Sequence, residues 1–195
     1  MRDEDVRRIV REVIEAAVQG RLATNDPRPQ PRPATSPPTV SGPTAAVVAL
    51  GADHGGVGLK DALKQHLTEG GYTVQDVGTF STDPVDYPDI AYAVARLVAD
   101  GQAGRGIVID GAGIGSCMAA NKVPGVRASL CYDVSSARNA REHNDANVLT
   151  LGAGLIGVNL AKQIVDAWLK TDFGGGRHAK RVDKIMDIEK RFLKK

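Results

Sequence analysis

The chain has 195 residues, enough for one domain with an appendage, and 42% of them are hydrophobic; only 4% are aromatic, so aliphatic residues and alanine must fill the core. A net charge of +2 gives no global attraction to nucleic acid or membrane, and no apolar run is long enough for a membrane span. No signal peptide is read, since the first turn is acidic and no apolar stretch follows; Cys117 and Cys131 lack metal-ligand spacing, so free thiols in a cytoplasmic protein are expected, with no metal and no cofactor.

Residues 1–20 read as an amphipathic helix. Val6, Ile9, Val10, Val13, Ile14 and Ala17 form one stripe, Arg7, Arg8, Arg11, Glu12 and Glu15 lie opposite, and Gly20 is a plausible stop. Residues 21–44 hold seven of the ten prolines, as in PRPQPRPATSPP, and therefore read as an extended linker. A short helix with one apolar stripe is marginal alone in water and needs a partner surface. Docking on its own domain or capping an oligomer is one reading. A targeting helix is the other, and the long tether favours it, because a helix meant for its own core needs only a short connection. The pattern of helix plus proline-rich linker resembles the encapsulation peptides that load enzymes into bacterial microcompartments. That resemblance implies shell or cargo as the partner of residues 1–20 and a microcompartment lumen as the location.

From residue 45 to 195 short apolar runs alternate with helical patterns. Strands are predicted at 45–50, 73–77, 106–109, 127–131 and 147–151, and helices at 56–69, 89–100, 114–121, 135–142, 155–169 and 178–194. The alternation predicts an α/β fold: a Rossmann-like three-layer αβα sandwich on a five-stranded parallel sheet, with the N-terminal amphipathic helix tethered to it. Ligands in such sheets bind beyond the carboxyl ends of the strands, so chemistry is sought in the loops there.

Two such loops are glycine-rich: Gly51-Ala52-Asp53-His54-Gly55-Gly56 after the first strand, and Asp110-Gly111-Ala112-Gly113-Ile114-Gly115 after the third. Glycines allow close backbone approach, and free N–H groups there suit a phosphate or the oxyanion of an intermediate. A dinucleotide site is not predicted: Gly111, Gly113 and Gly115 are wrongly spaced, lie in the third unit, and are followed by Ser116. Further on, Arg141-Glu142-His143-Asn144-Asp145 closes a helix, and Gly174-Gly175-Gly176-Arg177-His178 leads into the last one, with Lys180 and Arg181 behind. His54, His143 and His178 fall in loops or helix ends beside Asp, Asn or Arg, whereas His66 sits mid-helix and reads as an ordinary surface residue. Arg177 reads either as part of a solvated basic face or as a clamp for an anion.

The runs ALGADHGG, VDYPD, AANKVPGVRA, REHNDANVL and GGRHAKRVDKI, in this order, resemble ribose-5-phosphate isomerase B and its galactose-6-phosphate isomerase relatives over residues 46–192. The resemblance implies metal-free interconversion of aldose and ketose phosphates. It implies that Asp53 and His143 assist ring opening, that the loop of Gly111, Ala112, Gly113 and Gly115 holds the enediolate, and that Tyr87 and Asn144 contact sugar hydroxyls. His54 and, from a neighbouring subunit, Arg177 and Arg181 would grip the phosphate, with His178 beside them. Sites shared between subunits imply a homodimer or tetramer.

Three positions depart from the family pattern. Where one branch ends its third strand in Cys-Gly-Thr-Gly or Cys-Gly-Ser-Gly, with the cysteine as base, this chain reads Asp110-Gly111-Ala112-Gly113. Where a second branch has a glutamate base, it has Ser116; where a phosphate-binding arginine aligns after the fifth strand, it has Gly154. Asp110 then reads as the base, since a carboxylate is charged near neutrality and can carry a proton between adjacent carbons. Alternatively it marks a supporting subunit, as in one component of galactose-6-phosphate isomerase; the plainest reading of the residue itself is a strand-end carboxylate hydrogen-bonded to the loop amides. Cys117, one turn into the helix, reads as a small buried residue.

Overall fold

The computed structural model describes residues 47–192. The helix expected at 1–20, the linker at 21–44 and the start of the expected first strand lie outside the described residues.

Five strands, β1 (Val47–Ala52), β2 (Thr73–Asp76), β3 (Arg105–Asp110), β4 (Ala128–Leu130) and β5 (Val148–Gly152), form one parallel sheet in the order β2-β1-β3-β5-β4. Between and after them come α1 (Val57–Glu69), α2 (Tyr87–Ala99), α3 (Ile114–Ala120), α4 (Val134–Asn144), α5 (Val158–Lys170) and α6 (Gly176–Phe192). The period of two along each strand sorts side chains to two faces. Val48, Leu50, Ile107, Ile109, Leu149 and Leu151 pack on α1, α4 and α5, where Trp168 is fully buried. Ala49, Val108 and Val148 pack on Ala91, Val94 and Ala95 of α2 and Ala120 of α3. The result is the expected three-layer sandwich, filled by aliphatics and alanine.

The first strand runs two residues further than its apolar run suggested, because Gly51 and Ala52 continue the ladder opposite Val108 and Ile109. Glycine is required at 51, where a Cβ would stand 2.7 Å from Ile90 Cγ2. The last helix starts at Gly176, so Arg177 and His178 lie in its first turn rather than in the loop before it. His66, expected as an ordinary surface residue, is half-buried and its Nε2 lies 2.8 Å from Asp166, tying α1 to α5.

Connectivity places the helix ends. Each strand exits at the carboxyl edge and each helix returns the chain to the amino edge, so α4 ends, just before β5, at the amino edge. From there α6 reaches the segment before β4: the Gly125 N–H donates to the Glu189 carboxylate at 2.9 and 3.0 Å.

Candidate active site

At the carboxyl edge, Asp53 caps the single turn His54–Gly56 that follows β1: its Oδ1 accepts the Gly56 N–H at 3.1 Å, while its own N–H donates to Ile109 O at 3.0 Å. His54 is exposed, and its Nδ1 accepts the Val85 N–H at 3.3 Å. Beside this turn stands the loop after β3. Gly113 is left-handed, with φ 77°, and a Cβ there would lie 2.6 Å from Leu130 Cδ1, so position 113 admits only glycine. The Tyr87 ring covers Gly115, where a Cβ would meet it at 2.5 Å.

Asp110 is only 4% exposed. Its Oδ1 accepts the N–H groups of Ala112, at 2.8 Å, and of Gly113; its Oδ2 accepts the Ser116 N–H at 3.0 Å. The loop amides of Ala112 and Gly113, expected to face an oxyanion, are therefore directed at the chain's own carboxylate. A carboxylate at the strand end can reach amides that present N–H groups inward, and charge-assisted bonds of this kind are the strong ones. Gly154, where an arginine was aligned, gives its N–H to Gly111 O at 3.0 Å. Cys117 is half-buried rather than buried. Burial, more than any other influence, pushes its thiol above the usual range, which argues against a thiolate base there.

Tyr132 was not singled out from the sequence. Its hydroxyl donates to Ala112 O at 2.8 Å, reaching across from the end of β4 to the glycine loop. The rule that ligands bind beyond strand ends would have pointed to it, since it follows directly on Cys131. Tyr132→Phe removes this one bond, so urea titration should show a loss of about 1 kcal/mol. The loosened loop should lower kcat roughly threefold to tenfold in a steady-state assay.

The second group of candidates is built at the amino edge. An Asp133–Ser136 capping box starts α4, and Asp145, left-handed at φ 47°, ends it, held by Arg127 at 2.9 Å and Arg141 at 2.7 Å. That fixed end presents His143, whose Nδ1 lies 2.9 Å from Asn139 Nδ2, and Asn144, whose Nδ2 donates to Asn139 O at 3.4 Å. The Gly174 N–H bonds Glu142 O at 2.8 Å, bringing the start of α6 against the end of α4. There the rings of His143 and His178 stack, with centroids 4.2 Å apart and planes 5° from parallel. Desolvation, then the neighbouring His143, Arg177 and Arg181, hold the His178 imidazole below its usual range. Arg177 and Arg181, one turn apart on α6, are exposed.

The structure thus gathers Asp53, His54, Tyr87, Asp110, Gly111, Ala112, Gly113 and Gly115 at one edge, and His143, Asn144, Arg177, His178 and Arg181 at the other. Asp110 is level with Gly152, and Gly106 with Val148, which His143 precedes in the chain; β3 climbs about 13 Å between those levels. Within one chain the residues at 110 and 143 therefore lie at opposite edges of the sheet. A depression of about 570 Å³ lies elsewhere, between α4 and α5 near Arg138, Asp166 and Lys170.

Residues 48–185 match the family model described as Ribose/Galactose Isomerase. The chain is 48% identical over 144 residues to ribose-5-phosphate isomerase B of Escherichia coli (strain K12), covering 74% of this chain and 97% of that protein. It is 46% identical over 142 residues to D-erythrulose-4-phosphate isomerase of Pectobacterium atrosepticum, covering 71% of this chain and 91% of that one. The solved structure of ribose-5-phosphate isomerase B from Clostridium thermocellum superposes with a TM-score of 0.74 at 51% identity, over 75% of this chain and 99% of its own.

Proposed function

The chain belongs to the ribose/galactose isomerase family, and from that membership we propose that it interconverts an aldose and a ketose phosphate of pentose size, ribose 5-phosphate and ribulose 5-phosphate being the type pair. The reaction moves one proton from C2 of the open-chain aldose to C1, through an enediolate, while the hydroxyl and carbonyl oxygens exchange their proton. In this reading Asp110 takes and returns that proton through the lone pair on Oδ2 that no amide uses; Oδ1 holds two amides and Oδ2 one. Asp53 and His143 assist ring opening. Tyr87 and Asn144 bind hydroxyls, and His54, Arg177 and Arg181 bind the phosphate, with His178 holding His143 in place by stacking.

One observation carries this reading: the candidates divide between opposite edges of the sheet, the carboxylate and glycine loop at one and the imidazole and guanidinium groups at the other. Neither half is a site alone. A homodimer or tetramer that sets the amino edge of one copy against the carboxyl edge of another makes both whole.

A second reading has its own support, because Asp110 occupies the amides that an enediolate would use. In that reading the chain binds a sugar phosphate, or completes a partner's site with Arg177 and Arg181, and does not isomerise. Ribose 5-phosphate turnover by the purified full chain decides between them. Turnover well above the uncatalysed rate supports the isomerase; binding without turnover supports the second reading. The relative acting on D-erythrulose 4-phosphate makes a four-carbon substrate the natural second assay.

Residues 1–20 we assign to docking in a microcompartment within the cytoplasm, on the strength of the apolar stripe and the proline tether in the sequence. The same assay on a chain lacking residues 1–20 should give unchanged turnover and oligomer size; an oligomer that falls apart would make that helix an assembly element instead.

A further inference from the structure

Lys60 lies in α1 with 1% of its side chain exposed. Lysine is almost never so buried unless paired. Its ammonium meets both carboxylate oxygens of Asp76, at 3.0 and 2.8 Å. Asp76 ends β2 with 7% of its side chain exposed; it also accepts Lys64 Nζ at 2.9 Å and the Gly78 N–H at 3.0 Å. The Phe80 ring lies 4.8 Å from the same ammonium. Burial alone would raise the Asp76 carboxyl, but the bonds from Lys60, Lys64 and Gly78 outweigh it and hold the group below the usual carboxylate range.

A pair this buried is a poor stabiliser, since two apolar residues of similar volume commonly do as well or better. Its position suggests another task. The chain leaving β2 runs along β1: the Val77 N–H donates to Leu50 O at 2.9 Å, the Ala52 N–H to Gly78 O at 2.7 Å, and the Thr79 N–H to Ala52 O at 2.6 Å. Asp53 and His54 come next on β1's side. The same segment then returns to donate the Val85 N–H to His54 Nδ1 at 3.3 Å. Bonds at Asp76, Gly78 and Phe80 thus anchor one end of a segment whose other end meets the imidazole.

We propose that the Lys60–Asp76 pair is a positioning device for His54: it fixes residues 76–85 against the turn after β1, and so sets how well that turn holds the phosphate of the substrate. The proposal rests on the isomerase reading for its substrate, while the geometry it claims is independent of it.

The test uses the full chain and three variants: Lys60→Met, Asp76→Leu, and the two combined. Asp76→Leu leaves the buried Lys60 ammonium only the exposed Asp61 carboxylate at 3.4 Å, whereas Lys60→Met leaves Asp76 its bonds from Lys64 and Gly78; both lower thermal stability, the first more. The double variant is expected to recover the part of that stability lost by leaving the Lys60 ammonium without Asp76, though not the bond from the Gly78 N–H. It should nevertheless keep a KM for ribose 5-phosphate raised about tenfold, with kcat within about threefold of the parent. Hydrogen exchange at the Val85 amide should be about tenfold faster. A merely structural pair would restore KM and Val85 exchange together with stability, and that result overturns the proposal. Should the parent chain turn over no ribose 5-phosphate, the isomerase reading fails by itself. Val85 exchange then decides alone: unchanged exchange in the double variant overturns the positioning role, and faster exchange upholds it.

Discussion

Asp110→Asn is expected to lower kcat for ribose 5-phosphate by about 10²–10⁴-fold, the range that a positioned general base contributes. The side chain keeps its shape and Oδ1 still accepts from Ala112 and Gly113, but the atom facing Ser116 becomes an amide nitrogen that can only donate. That leaves the buried Ser116 N–H without an acceptor, at about 1–3 kcal/mol, and removes the charge from two further bonds. Steady-state kinetics and a urea titration on the same preparation separate the two roles of the carboxylate. A large fall in kcat in protein that remains folded at assay temperature marks Asp110 as the proton carrier. A lowered urea midpoint with kcat within about threefold of the parent would make Asp110 the anchor of the loop and assign the proton transfer elsewhere.

Much of this arrangement was legible in the residues. Leu50, Ile107 and Leu149 stand in short apolar runs bounded by glycine and polar residues, and such runs alternating with helical stripes such as Ala161, Ile164, Val165 and Trp168 admit few folds besides a covered parallel sheet. The glycine loop after the third strand reads as a place of close backbone approach, and the left-handed turn at Gly113 is what the structure adds. What the chain does not spell out is direction at the scale of a single side chain. Nothing local to Asp110 says whether its carboxylate turns outward to a ligand or inward to the amides of Ala112, Gly113 and Ser116, because both satisfy the same donors. Tyr132 was passed over for a similar reason: a tyrosine after a strand looks like any other until its hydroxyl is seen on Ala112 O. The separation of His143 from Asp110 is a different case. It follows from connectivity, since a helix that ends just before a strand must end at the amino edge, and it is the observation on which the proposed sharing of sites between copies rests.

That sharing can be tested by mixing. Asp110→Asn damages the carboxyl-edge half and His143→Ala the amino-edge half, so each homo-oligomer is expected to be nearly inactive. If every site draws its two halves from different copies, refolding equal amounts of the two together gives mixed pairs in which one site carries both lesions and the other none. For a dimer this restores about a quarter of the parent turnover. If mass measurement of the intact complexes shows mixed pairs and turnover stays at the sum of the two separate variants, the site is not assembled from two copies.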